Sequence, residues 1–143
     1  VPDRIVADIK ALSRRFYTVA TVKRHDEAVT PFMRQLGWKP GADDGSHVPA
    51  DCVFIKHGYL PPMAAIEHLI SRGVERIFVC GTQADTCCLA AGFMLFDAGL
   101  HPTLLKWLSV GSSLDRSAAL AASLWQHHFD SVLHSADELR LPF

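Results

Sequence analysis

Residues 77–99 read IFVCGTQADTCCLAAGFMLFDAG, and the fold turns on this stretch. Ile77, Phe78 and Val79 make a short run of the β-branched and aromatic kind that buried parallel strands carry. Gly81 interrupts it and residues 82–86 are mostly polar. From Cys87 onward the chain is rich in alanine and large apolar residues up to Gly99, as in a helix with a glycine stop. Strand, glycine turn and helix in that order are the first parts of a β-α-β unit. Cys87 then falls in the first helical turn, where free backbone N–H groups and the positive end of the helix dipole favour a thiolate. The same N–H groups could hold an oxyanion. Cys88, one position on, points about 100° away and is read as a core residue. A cysteine in an apolar helix is also ordinary buried filler, so pattern alone leaves catalytic and packing roles open.

The alternation extends in both directions. Ile5, Ile9, Leu12 and Phe16 recur at helical spacing and predict a helix within residues 3–16. Apolar runs at 16–22 (FYTVATV), 52–55 (CVFI) and 103–108 (TLLKWL), with a shorter one at 131–133, predict strands. Between them, Pro61 and Pro62 suit the first turn of a helix, which Met63, Ile66, Leu69 and Ile70 line on one face up to Gly73. Further helices are predicted over 85–98 and 114–128. Strands alternating with helices imply a parallel sheet with helices packed on it. The exception is 24–49, whose part 39–47 (KPGADDGSH) is polar and glycine-rich and reads as a long surface loop, a lid or a disordered segment.

Size and charge bound the function. At 143 residues the chain fits one domain, 1–143, and should bury roughly two-thirds of its unfolded surface. Fourteen Lys and Arg against fifteen Asp and Glu leave a net charge of −1, without the basic excess that nucleic-acid binding requires. No apolar stretch approaches the ~20 residues of a membrane span, and no leader is evident; a cytoplasmic protein without a membrane partner is expected. The cysteines at 52, 80, 87 and 88 lack the spaced pattern of a disulfide framework or a structural zinc site. Counting about 30 residues per strand-helix unit, the chain is one unit short of the usual doubly wound sheet.

Ligands of such sheets collect at the carboxyl ends of the strands. There the chain offers Lys56, His57 and Tyr59 after one run, Cys80 and 81–88 after another, and Lys23, Arg24, His25 and Asp26 after a third. A lysine, a histidine and a cysteine at one edge can serve nucleophilic catalysis.

These residues resemble the signature of the isochorismatase-like cysteine hydrolases. The shared pattern is a strand, then Gly-x-x-x-(Asn/Asp)-x-Cys, then an alanine-rich helix ending in glycine. The lysine-bearing strand (53–56), the proline-opened helix and the closing units around 107–113 and 132–135 also resemble the family, so the likeness covers about 3–140. It implies an α/β fold, a Rossmann-like parallel sheet in a three-layer α/β/α arrangement, and a Cys-Lys-Asp triad. Cys87 matches the nucleophile and Lys56 the lysine. Ala84 matches the position of a non-proline cis peptide that shapes the oxyanion hole, completed by the Cys87 N–H.

The departures are specific. The family's acid ends its first strand, in an Asp-x-Gln-x-Asp-Phe segment that does not occur here, so the resemblance implies an N-terminally incomplete domain with the first strand missing and residues before Val1. Asp26 is the nearest acid by position. The metal-binding branch, the nicotinamidases, keeps an Asp-x-His and a second His where this chain has Lys23, His25 and Val29, so no metal is expected, and no cofactor.

The function implied is a hydrolase cleaving an amide-type C–N bond of a small molecule through a thioester. The alternative is a non-catalytic member acting as a binding or assembly protein. His25, Trp38, His57 and Tyr59 are pocket candidates by position. Trp107, Trp125, Phe129 and Leu141-Pro142-Phe143 are apolar material suggesting a homo-oligomer, a dimer or larger, or else ordinary core.

Overall fold

A computed structural model describes residues 2–38 and 48–139. The elements run α1 (Asp3–Ser13), β1 (Val19–Lys23), α2 (Pro31–Leu36), β2 (Cys52–Lys56), α3 (Met63–Ser71), β3 (Arg76–Thr82), a π-helical turn (Ala84–Cys88), α4 (Leu89–Asp97), β4 (His101–Val110), α5 (Ala119–Phe129) and β5 (Val132–Leu133). Every strand pairing is parallel, and helices flank the strands, as the alternation predicts.

Several boundaries move for physical reasons. Phe16 and Tyr17 precede β1 and pack sideways, Phe16 edge-on to Phe78 at 5.5 Å and Tyr17 through its hydroxyl to His68 Nε2 at 2.8 Å. On α3, Ile66 is buried, but Met63 and Ile70 of the expected apolar face are 58% and 51% exposed. The last helix starts at Ala119, five residues later than the pattern suggests. Asp115 holds the preceding segment in a turn, accepting hydrogen bonds from Ser117 and from the Leu120 N–H, and Leu114 is left in solvent. Inside the expected long loop, Pro31 opens the short α2, which buries Phe32. Residues 39–47, and Leu141-Pro142-Phe143, lie outside the described residues.

The parallel strands form two ladders with a gap between them, as a sheet lacking its first strand implies. One holds β1 and β2, with Val19 opposite Cys52 and Lys23 opposite Lys56; the other has the order β3-β4-β5. Among the described residues β3 hydrogen-bonds to a strand on one side only.

The core gathers on the larger ladder. Leu104, Leu105 and Leu108 of β4 are at most 1% exposed. Cys88, Leu104, Ala122 and Trp125 form one cluster; Ile66, Leu95 and Leu100 form another between α3 and α4. Trp125 is fully enclosed, donates its indole N–H to Pro102 O and meets Phe129 edge-on. It is core, not spare surface. Gly92 lets α4 approach it, since a Cβ there would lie 2.8 Å from the Trp125 ring.

Candidate active site

The strand-turn-helix at 77–99 builds the site's centre. Between Val79 and Gly81 the ladder shifts: Val79 pairs with Leu104 and Gly81 with Ser109, so Cys80 stands opposite a bulge in β4 that the Ser109 hydroxyl closes onto Leu105 O. Bulges of this kind re-aim the chain beside sites. Gly81 has φ +121, a conformation that disfavours any side chain. A non-proline cis peptide follows between Thr82 and Gln83. The expectation of a cis bond at Ala84 is thus corrected by one residue; Ala84 itself is fully buried.

The sequence gives no sign of the π turn that comes next. The Gln83 carbonyl accepts the N–H groups of Thr86 and Cys88, both at 3.1 Å, and the Cys87 N–H is not among its partners. π turns of this kind recur at functional sites. The Asp85 carboxylate ties the turn to the loop after β4, accepting the Ser112 N–H at 2.7 Å and the Ser112 hydroxyl at 2.5 Å. Burial acts to raise the Asp85 pKa, but the Ser112 hydrogen bonds prevail and hold it below the ordinary carboxylate value.

The adjacent cysteines occupy different surroundings. Cys87 is partly accessible; Cys88 is buried against Leu104 and Trp125. Desolvation pushes the Cys88 thiol up to about 12, with Lys56 the one charge pulling it down, and pushes Cys80 up to about 11. Both stay protonated thiols at neutral pH.

Lys56 ends β2 and is 8% exposed. Its Nζ donates to Tyr59 O at 3.3 Å, its one hydrogen bond among the described residues, and no carboxylate there pairs with it. Asp26 does not fill that role. Its Oδ1 accepts the Ala28 N–H and its own N–H meets the Thr30 hydroxyl, so it closes its own turn.

The pocket candidates divide. Trp38 and Tyr59, each 48% exposed, both pack edge-on against buried Phe32, at 5.5 and 4.8 Å. Position in the sequence missed Phe32; Pro31, a helix-start signal, was its only cue. Lys23 lays its ammonium on the same group, 4.9 Å from the Phe32 ring centroid and 4.6 Å from that of Trp38. His57 is turned to the backbone, Nδ1 donating to Arg24 O at 2.9 Å. His25 is partly buried just past β1. Among the described residues no three His, Cys, Asp or Glu gather as metal ligands. At the positions where the family's metal-binding branch carries its ligands, the chain has Lys23, His25 and Val29, and a lysine and a valine do not fit that ligand set. Two depressions, of about 310 Å³ beside Val29, Pro31 and Arg34 and about 350 Å³ beside Arg76, His101 and Phe129, lie away from Cys87.

No family model and no curated protein matches the sequence. Solved structures do match the fold. The nicotinamidase from Bacillus subtilis superposes with a TM-score of 0.74 at 18% identity, over 94% of this chain and 87% of that one. N-carbamoylsarcosine amidase from Thermoplasma acidophilum gives 0.71 at 20% identity, over 98% and 83%. An isochorismatase-like hydrolase from Alkaliphilus metalliredigens gives 0.71 at 11%, over 91% and 80%. The chain therefore has the isochorismatase-like fold.

Proposed function

We propose, from this isochorismatase-like fold, that the protein is a cysteine hydrolase that cleaves an amide-type C–N bond in a small molecule, with Cys87 as nucleophile and Lys56 as its electrostatic partner. The observation that carries the reading is the contrast at 87 and 88: one thiol is partly accessible in the turn that opens α4, and the next is sealed in the core. That the solved structures of this fold include an amidase and a nicotinamidase supports the C–N class.

In the proposed reaction a carboxylate takes the Cys87 proton while Lys56 stabilises the thiolate and the carboxylate's charge. Sulfur adds to the amide carbon, and the oxyanion rests on backbone N–H groups at Cys87 and Ala84. The amine leaves with the proton, and water then cleaves the thioester. The carboxylate is assigned to a further strand of the same polypeptide, seated between the two ladders. Among the described residues, a buried lysine with no acid beside it and two ladders that do not join support that assignment. The protein would work in the cytoplasm as a homo-oligomer, without metal or cofactor.

Alkylation tests the nucleophile. Iodoacetamide should label Cys87 at pH 6 to 7 faster than a free thiol, as expected of a nucleophile, and Cys87→Ala should abolish amide turnover while Cys88→Ala largely retains it. Equal loss in both variants overturns the choice of Cys87. N-terminal sequencing and intact mass of the protein isolated from its source cells test the strand: it requires residues before Val1 that include an Asp at the end of an apolar run.

That no carboxylate among the described residues pairs with Lys56 also favours a second reading, a binding protein that keeps the fold without the acid. Fast Cys87 labelling with no hydrolysis of any amide would support it.

A further inference from the structure

We propose that the protein carries a small-molecule site separate from Cys87, at the amino ends of β3 and β4, and that it takes a free amino acid with an apolar side chain. The site does not depend on the hydrolase reading. Arg76 opens β3, His101 opens β4 and Ser131 directly precedes β5, whereas the Cys87 turn follows the carboxyl end of β3. With Phe96 near the end of α4 and Phe129 at the end of α5, these strand starts line the depression of about 350 Å³. That is within the size range of small-ligand pockets.

Two opposite charges lie on its walls without pairing with each other. Arg76 commits one guanidinium N–H, donating from Nε to Thr103 Oγ1 at 3.3 Å, and the Thr103 hydroxyl meets that of Ser131 at 2.6 Å, which places the guanidinium beside a second lining residue. Its other donors have no acceptor among the described residues. Asp130 ends α5 in the left-handed conformation and accepts the Gln126 side-chain amide on Oδ1 at 2.6 Å, with no cation against it among the described residues. The carbonyl end of the helix adds negative potential there. Unpaired charges of both signs on one depression match a zwitterion: the guanidinium takes a carboxylate, and Asp130 with the end of α5 takes an ammonium. Beside the charges the lining is aromatic. Phe96 is 51% exposed and its ring lies 5.4 Å from that of Phe129, so the two leave an open apolar wall. Exposed apolar surface rimmed by polar groups marks a binding groove. A carboxylate or an amine alone would leave one charge unmet, and a polar amino acid would leave the rings uncovered.

Three probes with one phenyl body test each part: L-phenylalanine, 3-phenylpropionate, which lacks the ammonium, and phenethylamine, which lacks the carboxylate. Titrated into the isotope-labelled protein at constant pH and followed by amide chemical shifts, L-phenylalanine should saturate with shifts at His101, Asp130 and Ser131 and none at 84–88, and equally so in Cys87→Ala. Each analogue should bind about tenfold more weakly, as expected for the loss of one charge-assisted hydrogen bond. Arg76→Gln should weaken L-phenylalanine about tenfold and leave phenethylamine unchanged. Asp130→Asn, which keeps an oxygen for Gln126, should weaken L-phenylalanine and leave 3-phenylpropionate unchanged. The unchanged analogue in each case also shows that the variant is folded. No saturable shift at His101, Asp130 and Ser131, shifts confined to 84–88, or the same L-phenylalanine affinity in both variants as in the native protein overturns the proposal.

Discussion

The two ladders of this protein are built by different rules. In the β3-β4-β5 ladder, β4 is enclosed, Trp125 seals it and the Cys87 turn is clamped by Asp85 to Ser112. In the β1-β2 ladder, Val53 and Ile55 are 49% and 45% exposed, and the end that bears Lys23 and Lys56 is organised by aromatic side chains rather than by a buried sheet. Cys87, the proposed nucleophile, thus stands on a packed scaffold, and the cations stand on a thin one. Burial sets stability where there is much to bury, so mutations should act very unequally on the two halves.

The largest effect expected is at Trp125. Truncation to alanine removes a fully enclosed indole and its hydrogen bond to Pro102 O, and should cost about 3–5 kcal/mol by urea denaturation. Gly92→Ala comes next. A methyl placed 2.8 Å from the Trp125 ring and 2.9 Å from Phe129 forces α4 and α5 apart, at a cost of about 1–3 kcal/mol. If either change proves neutral, the larger ladder is not the rigid half.

Asp85→Ala should cost about 1–2 kcal/mol through the two lost Ser112 bonds, and it should slow Cys87 alkylation because the turn loses its clamp. The pH sign follows from the lowered Asp85 pKa. A carboxyl whose pKa is lower folded than unfolded stabilises above its unfolded value, and that stability disappears as pH falls through the folded one. Wild type should therefore lose stability relative to Asp85→Ala as urea titrations move from pH 5 down to below the ordinary value of 3.8. Parallel curves would show that the clamp carries no charge dependence.

The same division governs what sequence could reveal. The strand-turn-helix at 77–99 was legible because each step has a local cause: a β-branched run, a glycine, then a helix former. That Cys88 is buried and Cys87 is partly accessible was legible because adjacent residues at a helix start project in different directions. The π turn and the cis bond were not: they follow the point where the β3-β4 register shifts beside Cys80, a pairing made with residues about 25 positions away. Phe32 was hidden for the same reason: its partners Lys23, Trp38 and Tyr59 come from three separate segments. The break of the sheet into two ladders was legible, because the unit count ran short and the missing unit is the first strand.

The smallest effect is expected on the thin half, and its size is informative in both directions. Val53→Thr replaces a methyl by a hydroxyl on a side chain that is already half in water, so it should change stability by no more than about 0.5 kcal/mol. β-branching is kept, so the preference for a strand is kept with it. A loss well above that limit would mean that Val53 is covered in solution by something beyond the described residues. In that case the β1-β2 ladder is packed after all, and the contrast between the halves holds only for the isolated chain. Repeating the measurement across a tenfold range of protein concentration separates the sources of cover: a second copy of the chain makes the loss concentration-dependent, and a segment of the same polypeptide does not.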